Sequence, residues 1–140
     1  MDAREYLGQI KVLKQHIKAK QVLLAEMKEQ AICGGGPGTD QERVKTSITG
    51  GAMERSVIDY VDFEQEIRED IYKYLRKKNE IIDTITSLND SRYIKVIFAK
   101  WVDGDSLERI AVETNYHFGH VKKLYWQGMK EIQKILDEEV

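Results

Sequence analysis

Cysteine and proline are almost absent from this sequence of 140 residues, which contains one of each. The lone Cys33 excludes a disulfide within the chain and is compatible with a reducing cytoplasm. With a single proline, long stretches are free of the residue that most strongly interrupts helices. Because 33% of the residues are charged and 41% hydrophobic, the composition favours long, exposed helices over one compact core.

Long apolar runs are also missing. No stretch approaches the roughly 18 consecutive apolar residues of a transmembrane helix. Charges at every few positions of residues 1–30 argue against a signal peptide. We therefore expect a cytoplasmic protein without a membrane partner.

A marked excess of either charge is missing as well. The formal net charge is -2, and both halves are balanced: residues 1–89 hold 14 Lys and Arg against 15 Asp and Glu, and residues 90–140 hold 8 against 9. Overall basicity therefore does not indicate nucleic-acid binding. Contact with DNA would depend on a local basic patch, and its affinity should fall steeply with salt.

The first periodic segment predicts a helix over about 3–30. Its apolar positions repeat every three or four residues, with Lys20 in the remaining place of the series: Tyr6, Ile10, Leu13, Ile17, Leu24 and Met27. Four further residues are expected to broaden this stripe: Leu7, Val12, Leu23 and Ala31. The pattern is typical of a helix packed along another at a shallow angle, or of an amphipathic helix in a bundle, and both remain open.

Residues 33–51 interrupt the periodicity and are rich in glycine. A glycine run can indicate a phosphate-binding loop, but no Gly-Lys-Ser/Thr follows this one and no apolar strand precedes it. We therefore predict a flexible connector over 33–51.

The second periodic segment predicts a longer helix over about 52–88. Its stripe repeats at alternating steps of three and four: Val57, Tyr60, Glu64, Ile67, Ile71, Tyr74, Lys78, Ile81, Ile85 and Leu88. Such a helix would be about 50 Å long, so it needs a partner helix, either the first helix folded back or a second copy of the chain. We predict an all-α protein, with a helical hairpin or coiled coil at 1–88 and a second domain at 89–140.

Residues 105–130 have the pattern of two short helices joined by a tight turn. Asp105 or Ser106 would cap the first helix, and Asn115 tolerates the left-handed conformation that reverses the chain. His117 or Phe118 would open the second helix. The core of this pair is expected to contain Leu107, Ile110, Ala111, Tyr116, Val121 and Leu124, resting on a helix at 91–102. Ala111 is small enough for a steep crossing, as a helix-turn-helix requires.

The second of these helices has the charge pattern of a recognition helix. It carries Lys122, Lys123 and Lys130, with no acidic residue between His117 and Lys130. Lysine can neutralise phosphates or donate to guanine, and glutamine can bind adenine. The candidate DNA-binding residues are Ser106, His117, Phe118, Gly119, His120, Lys122, Lys123 and Gln127. Trp126 would either donate its N–H to a phosphate or belong to the core.

Catalytic and metal-binding patterns are not found in the sequence. His117 and His120 lack a cysteine or carboxylate partner at a convincing spacing, so we expect no metal. No Ser-His-Asp order, Cys/His cluster or paired carboxylates in a pocket-forming context appears. We therefore expect a protein that is not an enzyme and needs no cofactor.

A family resemblance rests on Lys100-Trp101, Gly104, the run Ser106–Ala111, Val121, Leu124 and Gly128-Met129. This pattern resembles region 4 of sigma-70-type factors. The whole chain resembles small regulators encoded by phages and prophages, grouped with late-transcription activators of the ArpU and RinA kind. The resemblance implies a DNA-binding transcriptional regulator, an activator of phage or mobile-element genes in a bacterial cytoplasm. Its N-terminal helices would form a homodimer or contact RNA polymerase.

Two other functions fit the same pattern. A phage structural or DNA-packaging component, such as a small terminase subunit, also joins a helix-turn-helix to coiled-coil helices, although usually with the helix-turn-helix first. An adaptor that binds only RNA polymerase or another sigma factor would use the helix-turn-helix to contact protein. A ring of many subunits would favour packaging, and undetectable DNA binding at low salt would favour the adaptor.

Overall fold

The computed structural model describes residues 1–32 and 50–139, with the side chains of 1–30 and 57–139. In these ranges the chain is all-α, as predicted. The five helices are α1 (Ala3–Ile32), α2 (Gly50–Thr86), α3 (Ser91–Trp101), α4 (Leu107–Thr114) and α5 (Phe118–Glu138). The predicted connector at 33–51 lies outside the described residues, except for Gly50 and Gly51, which open α2. None of these helices has the length and apolarity needed to cross a membrane.

The chain forms two compact units. The first contains residues 1–13 and 74–140, and the second contains residues 14–73. This division differs from the predicted boundary between residues 88 and 89. The first turns of α1 and the last turns of α2 share one apolar core with α3, α4 and α5, so they belong with the C-terminal helices.

The core of the first unit draws on all five helices. Its fully buried side chains are Leu7, Ile81, Ile85, Val96, Ile97, Ile110, Val121, Leu124 and Ile132. Polar contacts fix the start of α1 at the edge of this core. The backbone N–H of Ala3 donates to Oε1 of Gln133 at 2.8 Å, and Nε2 of Gln133 donates to the carbonyl of Met1 at 3.1 Å. The hydroxyls of Tyr6 and Thr84 are 3.0 Å apart.

The second unit pairs the rest of α1 with the first part of α2. Ile17 and Ile67 are buried in this pairing. The ammonium of Lys20 lies 3.2 Å from a carboxylate oxygen of Glu66 and 2.5 Å from one of Asp70. The stripe of α1 is therefore covered by α2 of the same chain. The sequence left open two partners for the second helix, the first helix folded back or a second copy of the chain. The structure shows the first helix of the same chain.

Three of the residues predicted to widen or continue the stripes are exposed. Val12 is 64% exposed, Leu23 48% and Val57 49%. At 100° per residue, Val12 and Leu23 lie far around the helix from Ile17, whereas only a narrow strip of α1 faces α2. Val57 is ten residues from Ile67, which rotates it about 80° out of the buried strip. Those three expectations were wrong. Of the other two residues expected to broaden the stripe of α1, Leu7 is buried, and the side chain of Ala31 lies outside the described residues.

Candidate nucleic-acid interface

The first helix of the candidate interface, α4, begins at a serine cap. Ser106 has an extended backbone, and its Oγ accepts the N–H of Arg109 at 3.2 Å. Of the two predicted caps, the structure selects Ser106. The neighbouring Asp105 instead lies 3.7 Å from Nε of Arg109, which also donates to Glu113 at 3.0 Å. The only cation of α4 is thus neutralised within its own helix.

The turn between α4 and α5 depends on three polar residues. Asn115 is left-handed, with φ 60° and ψ 21°, as predicted. Oγ1 of Thr114 donates to the carbonyl of Ile110 at 2.6 Å, which closes the last turn of α4. His117 is the N-cap of α5, because its Nδ1 accepts the N–H of Gly119 at 3.2 Å. The turn is therefore fixed at both ends by side-chain hydrogen bonds to the backbone.

The residues expected to form the core of the α4–α5 pair are buried or half-buried. Ile110, Val121 and Leu124 are buried. The other three predicted members are half-buried and packed against them: Leu107, Ala111 and Tyr116. Sequence reasoning did not find Tyr125, which is also buried and whose pKa is raised by that burial.

A close helix approach in this region involves Gly128, which sequence reasoning did not identify as a crossing point. A Cβ built on Gly128 would lie 2.9 Å from Cγ1 of Ile97, on α3. A glycine inside a helix is disfavoured by about 1 kcal/mol relative to alanine. Its presence at an inward position was the signal in the sequence that could have indicated this crossing.

Most of the candidate DNA-binding residues lie at the protein surface. The exposed ones are Ser106, His117, Phe118, Gly119, His120, Lys122 and Lys123. Gln127 is the exception. It is half-buried, and its Oε1 accepts the hydroxyl of Tyr93 at 3.0 Å. As a candidate DNA-binding residue, Gln127 is therefore only partly accessible, because α3 covers that side of α5.

The exposed side of α5 is cationic. Lys122, Lys123 and Lys130 are exposed. They form no ion pair with any residue in the described ranges, whereas Lys134 is 3.4 Å from Glu131. The ammonium of Lys122 lies 5.5 Å from the ring centre of Phe118. His120 packs edge-on against Tyr116, with ring centres 5.3 Å apart. Positive charge on this side is therefore available to an anionic partner.

The sequence left open whether Trp126 belongs to the core, and its exposure excludes that role. Its side chain is 48% exposed, so it does not belong to the core. The guanidinium carbon of Arg4, from α1, lies 5.1 Å from the centre of its ring. Sequence reasoning did not find Arg4, because its separation from α5 along the chain leaves no local signal.

Metal binding has no support in the part of the chain that the structure describes. There, no three His, Cys, Asp or Glu side chains come close enough together to hold a metal ion.

Comparisons of the chain with protein-family models, curated proteins and solved structures returned no match.

Proposed function

We propose that this protein binds duplex DNA through α5 and regulates transcription. One observation carries the proposal: α5 follows a sharply defined turn and exposes three lysines that no carboxylate in the described ranges neutralises. In a helix-turn-helix protein, the N-terminal part of the second helix enters the major groove. His120 and Lys123 lie on the exposed side of that part of α5.

Electrostatics also supports a local rather than a general affinity for DNA. The chain has a net charge of -2, and Arg109 on α4 is paired with Glu113. Attraction to phosphates would therefore depend on a local group of cations that includes the lysines of α5. We expect weak binding to random DNA and a strong dependence on salt.

The sequence resemblance to sigma region 4 suggests which process the binding would serve. A helix that recognises DNA near promoters would make this chain an activator of phage or mobile-element genes in a bacterial cytoplasm. The remaining helices would then contact RNA polymerase. This assignment is by analogy with the family.

The second partner that we propose is another copy of the chain, which would form a homodimer through the N-terminal helices. The stripes of α1 and α2 already face each other within one chain, so a second copy would need another surface. The second unit exposes apolar side chains for that purpose: Val22, Leu23, Val57, Ile58 and Val61. Sedimentation should give a dimer, and replacing Ile58 and Val61 by Glu should give a monomer. A wild-type monomer at micromolar concentration would contradict this part of the proposal.

The test of DNA binding is a titration of duplex fragments from the protein's own genomic locus at several salt concentrations. Replacing Lys122 and Lys123 together by Ala should weaken binding. If both lysines touch phosphates, the slope of log affinity against log salt should become shallower by roughly two units. The melting temperature should hardly change, because exposed substitutions usually alter stability by less than about 0.5 kcal/mol.

Lys134 provides the matched control. It is an exposed lysine of the same helix, but Glu131 already pairs with it, so Lys134→Ala should change the salt slope less. If the double variant binds as the wild type does, α5 is not the DNA-binding element. Undetectable binding of the wild type at low salt would favour the polymerase adaptor, and a ring of many subunits would favour a packaging component.

A further inference from the structure

Arg4 brings a cation from the beginning of the chain to the exposed side of α5. Its guanidinium carbon lies 5.1 Å from the ring centre of Trp126, within the range of a cation–π interaction. Both residues are exposed, and both belong to the first compact unit. Arg4 makes no ion pair with an acidic side chain in residues 1–30 or 57–139. Its charge is therefore available to an external anion.

The position of Arg4 is set by the packing of the first turn of α1. Ala3 and Tyr6 are buried. Arg4 lies about 100° around the helix from Ala3, at the edge of the buried side, so its side chain reaches both α5 and solvent. Gln133 of α5 bonds both the N–H of Ala3 and the carbonyl of Met1. Because these contacts anchor the backbone directly before Arg4, the guanidinium is held beside α5 before any ligand arrives.

Arg4 and Trp126 extend a regular series along α5. Phe118, Lys122, Trp126 and Lys130 follow one another at four-residue intervals, so they occupy one ridge of the helix. Lys122 lies over the ring of Phe118, as Arg4 lies over the ring of Trp126. We call this series, together with Arg4, the aromatic–cation ridge.

We propose that Arg4 contacts a phosphate of the bound duplex and that Trp126 is a positioning residue that holds its guanidinium there. The inference rests on the proposed DNA-binding function and adds a contact from outside the α4–α5 pair. A guanidinium stacked on a ring still presents its N–H groups at its edge, in the geometry that binds two oxygens of one phosphate.

The arrangement favours duplex DNA over a single strand. Proteins that hold single strands stack successive bases on open aromatic faces. Here a cation covers one face of Phe118 and one face of Trp126. The aromatic–cation ridge thus presents charges supported by rings, which suits a row of phosphates.

The first part of the test is Arg4→Ala in the full chain, titrated with the duplex that the wild type binds. Loss of one phosphate contact should make the salt slope shallower by about 0.9. The fall in affinity between 50 and 200 mM salt should then be about 3.5-fold smaller than for the wild type. Arg4→Lys should recover most of the slope. Lys18→Ala removes an equal charge from another exposed position of α1 and should leave the slope unchanged.

The second part tests whether Trp126 acts through Arg4. Trp126→Leu keeps an apolar side chain but removes the ring, so it should weaken duplex binding. Combined with Arg4→Ala, it should add little further loss, because both changes remove the same positioned charge. Additive losses would show that Trp126 contacts DNA by itself and would overturn its positioning role.

Single-stranded DNA of the same sequence provides the opposing outcome. If Trp126→Leu weakens binding to the single strand more than to the duplex, and Arg4→Ala changes neither, the ring is a stacking platform and the inference is wrong. If Lys122 and Lys123 contribute to duplex binding but Arg4 does not, the inference fails and the proposed function stands. If the wild type binds no duplex even at 50 mM salt, both are wrong.

Discussion

Gly128 of α5 packs so closely against Ile97 of α3 that a Cβ added at Gly128 would force neighbouring atoms to move. A Cβ on Gly128 would lie 2.9 Å from Cγ1 and 3.2 Å from Cδ1 of Ile97, and 3.4 Å from Cβ of Tyr93. Both Gly128 and Ile97 are buried. The close approach lets α3 pack directly on the back of α5, and so supports the helix that carries the candidate interface.

Gly128→Ala should therefore destabilise the protein. The added methyl group would overpack this crossing and destabilise the folded protein by about 1–3 kcal/mol. The higher helix propensity of alanine would stabilise it by about 1 kcal/mol. We expect a net loss of free energy of unfolding of up to about 2 kcal/mol, measured by chemical denaturation.

Gly119→Ala is the matched control, because Gly119 lies on the same helix at its exposed end. A Cβ there would be 3.5 Å from Nδ1 of His117, an ordinary contact. This variant should be at least as stable as the wild type. A Gly128→Ala protein that also matched or exceeded the wild type would show that α3 and α5 are not as close as 2.9 Å implies.

The helices and the turn could be predicted from local signals. The stripes of α1 and α2 repeat at three and four residues, and this period specifies a helix with one buried side. Asn115 could be assigned to the turn because few residues other than glycine tolerate a left-handed backbone. Each of these features is determined by residues a few positions apart.

The side-chain surroundings of α5 could not be predicted in the same way. The helical period gives the angle of Gln127 around its axis, but not that Tyr93 of α3 covers it. Likewise, nothing near Trp126 in the sequence indicates that Arg4 lies over its ring. Such contacts join distant segments, so they depend on how the helices pack rather than on where each helix begins and ends.

The ion pair of Lys20 and Asp70 predicts an acid-dependent contribution to stability in the second unit. The hydrogen bond from Lys20 lowers the pKa of Asp70 below its ordinary value of 3.8. A group whose pKa is lowered on folding stabilises the protein above its unfolded pKa, and this contribution disappears as the pH falls through the folded pKa. Asp70→Asn should therefore be less stable than the wild type at pH 7.

The difference in free energy of unfolding between Asp70→Asn and the wild type should shrink as the pH falls below about 3.8. Denaturation curves between pH 7 and pH 2 would measure this difference. Glu69→Gln removes the same charge from an exposed neighbouring position and should show a smaller effect at pH 7. A difference for Asp70→Asn that stayed constant over this range would mean that packing, rather than charge, accounts for it.

The hydrogen bond between Tyr6 and Thr84 predicts a second contribution to stability, within the first unit. Oγ1 of Thr84 donates to the carbonyl of Glu80 at 3.1 Å, so its oxygen accepts the hydroxyl of Tyr6 at 3.0 Å. Tyr6→Phe keeps the buried ring but removes this donor, and should lower the free energy of unfolding by about 1 kcal/mol. In a Thr84→Val background the same change should cost less. Equal losses in both backgrounds would rule out the hydrogen bond as the cause.

Two substitutions of His117 separate its role as the cap of α5 from a contact with DNA. Its Nδ1 accepts the N–H of Gly119, so in the neutral ring Nε2 carries the proton and can donate to an external acceptor. Asn is a strong N-cap residue, whereas replacing a good cap by Ala costs about 1 kcal/mol. His117→Asn should therefore melt close to the wild type, and His117→Ala should melt at a lower temperature.

Binding to duplex DNA then decides the role of the His117 ring. In His117→Asn the shorter side chain is occupied by the cap and no longer extends Nε2 toward a ligand. We expect this variant to bind duplex DNA more weakly than the wild type despite its unchanged melting temperature, as a titration beside thermal denaturation would show. If only His117→Ala binds more weakly, and does so in proportion to its loss of stability, His117 acts as the cap of α5 and the DNA contacts lie further along the helix, at His120 and Lys123.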